Sequence, residues 1–92
     1  MAYPSIETIW DGFKAWYQLT SKAQGKWLVY DSYSYDNSFG NLDEAIFIYD
    51  TKDQAEKCIV NILSDAYHSD HPLEVISPDL ETKEWMVNVE IL

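Results

Sequence analysis

The chain contains no arginine. Six lysines face sixteen aspartates and glutamates, and the net charge is −10. Such a field repels nucleic acid and anionic membrane and attracts basic surfaces, so direct nucleic-acid binding and membrane association are not expected. The single cysteine, Cys58, leaves no disulfide within the chain, which favours a reducing compartment or at least indifference to oxidation. Three glycines and three prolines form no linker or low-complexity tract, so residues 1–92 read as one acidic domain. No apolar run approaches the ~20 residues that cross a bilayer. Met1-Ala2-Tyr3-Pro4-Ser5 lacks the basic and apolar regions of a signal peptide. A glycine-rich phosphate loop and a Ser-His-Asp spacing are both missing. No enzyme and no cofactor are therefore expected.

What is present is enough apolar weight for a core. Hydrophobic residues make up 47% and aromatics 15%. A chain of this mass should expose roughly 5,500 Å² when folded, with a radius of gyration of about 12 Å. Residues 26–56 hold the densest aromatic cluster and organise the rest. Lys26–Tyr35 predicts a strand, with Trp27, Val29, Asp31, Tyr33 and Tyr35 on one face and Leu28, Tyr30, Ser32 and Ser34 on the other. Asp36–Glu44 reads as a turn-rich link, and Ala45–Asp50 as the antiparallel partner strand.

Helices flank this hairpin. Ser5 after Pro4 is a fitting N-cap for a first helix, whose apolar face is Ile6, Ile9, Trp10, Phe13, Trp16, Tyr17 and Leu19. Thr51 and Gln54 make a capping box for a second, with the stripe Ala55, Cys58, Ile59, Ile62, Leu63, Ala66 and Tyr67. Asp53 and Lys57 on it are spaced to pair. Leu73–Ser77 predicts a short strand, Pro78-Asp79 a turn, and Glu84–Leu92 the last strand. The order αββαββ predicts an α+β fold, a four-stranded mainly antiparallel sheet with two helices packed on one face. The bare face would then carry Tyr30, Tyr33, Tyr35, Tyr49 and Trp85. Large exposed apolar patches are uncommon on monomers, so a homodimer is expected.

Several candidate sites yield to plainer readings. His68-Ser69-Asp70-His71 offers His68, Asp70 and His71 to a metal, but no fourth ligand is evident and histidine also suits a helix C-terminus. Asp36–Glu44 is rich in oxygen, yet Gly40 and the missing bidentate glutamate depart from a calcium loop. Cys58 sits on an apolar stripe, where a buried, inert thiol is expected. The aromatic strands lack the positive groove that base stacking requires.

The acids remain. Asp31, Asp36, Asp43 and Glu44 gather at the far end of the hairpin, and Asp50, Asp53 and Glu56 recur at the start of the second helix. A later set contains Asp65, Asp70, Glu74, Asp79, Glu81, Glu84 and Glu90. Solubility alone is better served by mixed signs, with less self-repulsion. Duplex DNA carries one charge per about 1.7 Å of axis, which a rigid display of carboxylates can imitate.

Size, acidity, absence of arginine and the aromatic-rich αββαββ plan resemble the small DNA-mimic antirestriction proteins of phages, the Arn family of T-even phages in particular. The resemblance spans the chain and rests on length, composition and general character. It implies an early phage protein in the host cell cytoplasm that occupies the DNA site of a basic host protein, in that family the McrBC restriction nuclease. Such proteins commonly dimerise. Asp31, Asp36, Asp43, Glu44, Asp50, Asp53, Glu56, Asp70, Glu74, Asp79, Glu81 and Glu84 would then stand in for phosphates. The rival is an acidic inhibitor of one nuclease, similar to barstar or an immunity protein, with a few dominant contacts.

Overall fold

Thr51 and Gln54 close the capping box that their spacing predicts. The Gln54 amide donates to Thr51 Oγ1 at 3.2 Å, and Gln54 Oε1 accepts from the Thr51 and Asp50 amides at 3.2 and 3.0 Å. The computed structural model describes residues 4–63, 73–80 and 83–86. In chain order these form α1 (Trp10–Leu19), a 3-10 turn (Ser21–Ala23), β1 (Trp27–Asp31), α2 (Ser32–Asn37), α3 (Leu42–Ala45), β2 (Ile46–Tyr49), α4 (Lys52–Leu63), β3 (Leu73–Ile76) and β4 (Lys83–Met86). His68 to His71, Asp65, Glu81, Glu90 and the far ends of the predicted second helix and last strand lie outside the described residues.

The α+β class with an antiparallel sheet is the expected one. The αββαββ order is not what forms, because α2 and α3 stand between β1 and β2. Asp31 is the cause. Its carboxylate accepts from the Tyr33 and Ser34 amides at 3.0 and 3.4 Å and from Ser34 Oγ at 2.9 Å. That is an N-cap, so the strand predicted to reach Tyr35 stops at Asp31 and a helical turn follows. Asn41 caps α3 in the same way, accepting from the Asp43 amide at 3.1 Å.

The first helix also begins later than predicted. The Ile6 amide donates to Glu74 Oε2 and the Tyr30 hydroxyl to the Pro4 carbonyl, both at 2.9 Å. Ser5 therefore caps only a turn, with the Thr8 amide 3.1 Å from its carbonyl and 3.4 Å from its hydroxyl. The regular helix starts at Trp10, and Ile9 before it makes no side-chain cap.

The sheet order is β2-β1-β3-β4, and each neighbouring pair is antiparallel. Leu28 lies opposite Ile48 on one side and Ile76 on the other; Val29 lies opposite Phe47 and Val75. Leu28, Tyr30, Ile46 and Ile76 pack with Phe13 of α1 and with Ile6. Val29, Leu73 and Val75 pack with Ala55 and Ile59 of α4. Neighbouring strand residues point to opposite faces, so α1 and α4 cover opposite faces of the sheet. The expected arrangement, with both helices on one face, is corrected by this. Burial on both faces suits the uninterrupted apolar run Trp27-Leu28-Val29-Tyr30 of β1, and β3 is buried at all four positions although Glu74 interrupts its apolar sequence. Each large side chain fully buried there contributes about 1.5–3 kcal/mol.

Among the described residues no bare aromatic face remains. Tyr30 is fully buried, Tyr33, Tyr35 and Tyr49 are half-buried, and Trp85 belongs to β4. The aromatic case for a homodimer loses its premise. The protein exposes 5550 Å² with a radius of gyration of 12.3 Å, close to the expected size.

Candidate functional site

The acids separate into groups that composition alone cannot distinguish. Two are withdrawn from the surface. Asp31 is 1% exposed and caps α2; Glu74 is 3% exposed and holds the Ile6 amide. Neither can present a carboxylate to a partner, which corrects their expected role as phosphate mimics. Glu74 lies opposite Tyr30 across β1 and β3, and the two together fasten the N-terminal segment to the sheet.

A second group is exposed but neutralised nearby. Asp50 Oδ1 lies 2.5 Å from Lys26 Nζ. Asp53 and Glu56 lie 3.8 Å from Lys57 and Lys52, one helical turn away on α4. The Asp53–Lys57 pair is the one its spacing predicts. Exposed pairs of this kind contribute only a few tenths of a kcal/mol, yet they locally cancel the negative field.

The third group lies in residues 36–44. Asp36, Asp43 and Glu44 are exposed, and among the described residues no lysine pairs with them. Asp43 is held in place, since its Oδ1 accepts from Trp16 Nε1 of α1 at 2.8 Å. That bond ties α3 to α1 and was not foreseen from the sequence. Asp79 is also exposed, in the turn after β3, with the Ser77 hydroxyl donating to it. Glu84 sits opposite Val75 in β4, while Asp70 and Glu81 lie outside the described residues.

Phe39 lies within the third group. It is 100% exposed, and its φ is +57. Its backbone is well fixed. The Phe39 amide donates to the Asp36 carbonyl at 3.2 Å and the Gly40 amide to the Tyr35 carbonyl at 2.8 Å. Ser38 Oγ donates to the Tyr35 carbonyl at 3.2 Å and accepts from the Asn41 amide at 3.2 Å. Gly40, at φ +85, lies against the Tyr35 ring. A left-handed backbone costs a non-glycine residue of order 1–3 kcal/mol. Burying a phenylalanine contributes about 1.5–3 kcal/mol. Phe39 bears the first and forgoes the second. Its sequence signal is an apolar residue among the turn formers Asn37, Ser38, Gly40 and Asn41.

An open depression of about 450 Å³ lies between β2 and α4, lined by Ile48, Tyr49, Asp50, Gln54, Lys57 and Cys58. Cys58 is half-buried rather than buried, and burial pushes its thiol up from the ordinary value, against a hydrogen bond with Tyr49 that lowers it. The Tyr49 phenol is pushed up to about 12, chiefly by burial and then by Cys58. Both groups are held neutral, which disfavours nucleophilic chemistry. Among the described residues no cluster of His, Cys, Asp and Glu could hold a metal ion. No helix among them is long and apolar enough to cross a membrane. No protein-family model, curated protein or solved structure matches the chain.

Proposed function

We propose that the protein is a DNA-mimic inhibitor that occupies the DNA-binding site of a basic host protein, with the McrBC restriction nuclease as the leading target. The carrying observation is the run Asp36, Asp43 and Glu44, exposed and without a lysine partner among the described residues. Unpaired carboxylates on a fixed frame project a field that paired ones do not, and that field speeds encounter with a basic cleft. The net charge of −10 keeps the chain itself off DNA. Asp50, Asp53, Glu56 and Asp79 add to the surface at lower weight, as do Asp70, Glu81 and Glu84 if they are displayed. A homodimer would lengthen the imitation. No catalytic role is proposed.

The test is cleavage of modified-cytosine DNA by McrBC. Inhibition that rising duplex concentration relieves, with no gel shift of the duplex by the inhibitor, is the expected result. Inhibition indifferent to duplex concentration, or none at all, contradicts the proposal. The second reading, an immunity-type inhibitor, predicts binding to one nuclease alone and not to several basic DNA-binding proteins.

A further inference from the structure

We infer that Phe39 is an apolar anchor that seats in a hydrophobic cleft beside the cations of a basic protein partner. This deepens the proposed function and rests on it for the partner's positive charge. The ring is wholly exposed, so its own fold gains nothing from it. The backbone holds it out in the left-handed region, at φ +57, through bonds from the Phe39 and Gly40 amides and the Ser38 hydroxyl. Leu80 adopts a similar dihedral, at φ +61, and packs against the core, whereas Phe39 gains no packing in return for the strain, which points to a role outside the isolated fold.

Charge decides the occupant. Asp36 precedes Phe39 and Asp43 and Glu44 follow it, all exposed and without a lysine partner among the described residues. A second copy of this chain would set these carboxylates against one another. A basic protein would not, and an aromatic side chain buried within a ring of contacts that exclude water is the usual make-up of an interface hot spot. Duplex DNA keeps its bases stacked inside and shows phosphate outside. A pure electrostatic copy would therefore compete with DNA on equal terms and weaken with salt as DNA does. Phe39 adds a component that salt does not screen, giving the inhibitor an advantage that DNA lacks.

The experiment measures affinity for the purified DNA-binding subunit of McrBC across a salt series, for the natural chain, Phe39→Ser and Phe39→Gly. Both variants should bind at least ~30-fold more weakly, by the same factor at low and high salt. Melting temperatures should not fall, and Phe39→Gly should melt higher, because glycine adopts a positive φ freely. Variants that bind within ~3-fold of the natural chain overturn the anchor and leave the proposed function standing. Weaker binding that tracks a lower melting temperature in both variants makes Phe39 structural and also overturns it. If the natural chain itself does not bind, the proposed function fails and the anchor falls with it.

Discussion

Asp50, Asp53 and Glu56 each stand beside a lysine at the start of α4, whereas Asp36, Asp43 and Glu44 stand beside none among the described residues. Both groups are exposed, and both would be counted alike in a charge sum. An acid and a lysine together make a dipole, whose field fades within a few ångströms. A lone carboxylate acts out to the Debye length, about 8 Å at physiological salt. Residues 36–44 therefore carry more of the outward field than residues 50–56 do, although each stretch holds three acids. Asp53 and Glu56 serve the helix, braced one turn along it, while Asp50 ties its start to Lys26 ahead of β1.

The largest effect expected of a single acid belongs to neither group. Glu74→Ala removes a buried acceptor and strands the Ile6 amide, and should cost about 1–3 kcal/mol of stability. Asp31→Ala loses a helix cap and should cost about 1 kcal/mol. Urea unfolding measures both. Affinity for a basic partner, counted per folded molecule, should not change. If either variant lost affinity without losing stability, burial would not separate structural acids from displayed ones, and the contrast between regions would need redrawing.

Next in size is a dependence on alkaline pH, which sharpens the contrast because it belongs to the α4 side. Tyr49 has its phenol pushed from 10.0 up to about 12, by burial first, so the fold favours the protonated form. Its contribution to stability is whole below pH 10.0 and is lost as pH rises through about 12. Buried Tyr30 shifts in the same direction. Urea midpoints should fall as pH rises through that window, and less steeply in Tyr49→Phe. A midpoint that stays level would contradict the assigned environment.

The smallest effect comes from the pairs themselves. Asp53→Asn or Glu56→Gln should cost about 0.3–0.5 kcal/mol by thermal melting, less at high salt. A cost several times larger would mean that these acids are more than local braces.

The parts legible in the sequence were those fixed by neighbours in the chain. Thr51 and Gln54 announce α4, Asp53 and Lys57 pair as spaced, and the pairing of β1 with β2 follows from two apolar runs around a polar link. Asp31 was harder to read. It interrupts an aromatic run that looks like one strand through Tyr35, and an N-cap competes there with strand propensity. The placement of helices on opposite faces depends on long-range packing. The uninterrupted apolar character of Leu28-Val29-Tyr30 is a sign of a strand covered twice. Glu74 could not be recognised as buried, because its partner, the Ile6 amide, lies across the chain. The acidic run 36–44 was visible as residue types. Its freedom from lysine was not, since Lys26 reaches Asp50 from another strand's edge.

The direct test sets the two regions against each other. The triple variant Asp36→Asn, Asp43→Asn, Glu44→Gln and the triple variant Asp50→Asn, Asp53→Asn, Glu56→Gln remove equal charge. Asn at position 43 can still accept from Trp16. Affinity for the McrBC DNA-binding subunit is measured for both across a salt series. At up to about 1 kcal/mol for each unpaired charge, the first variant should lose ~100-fold at low salt and show a flatter salt dependence, while the second stays within ~3-fold. Equal losses in the two variants would contradict the account, because they would mean that total charge, and not its pairing, sets the interaction.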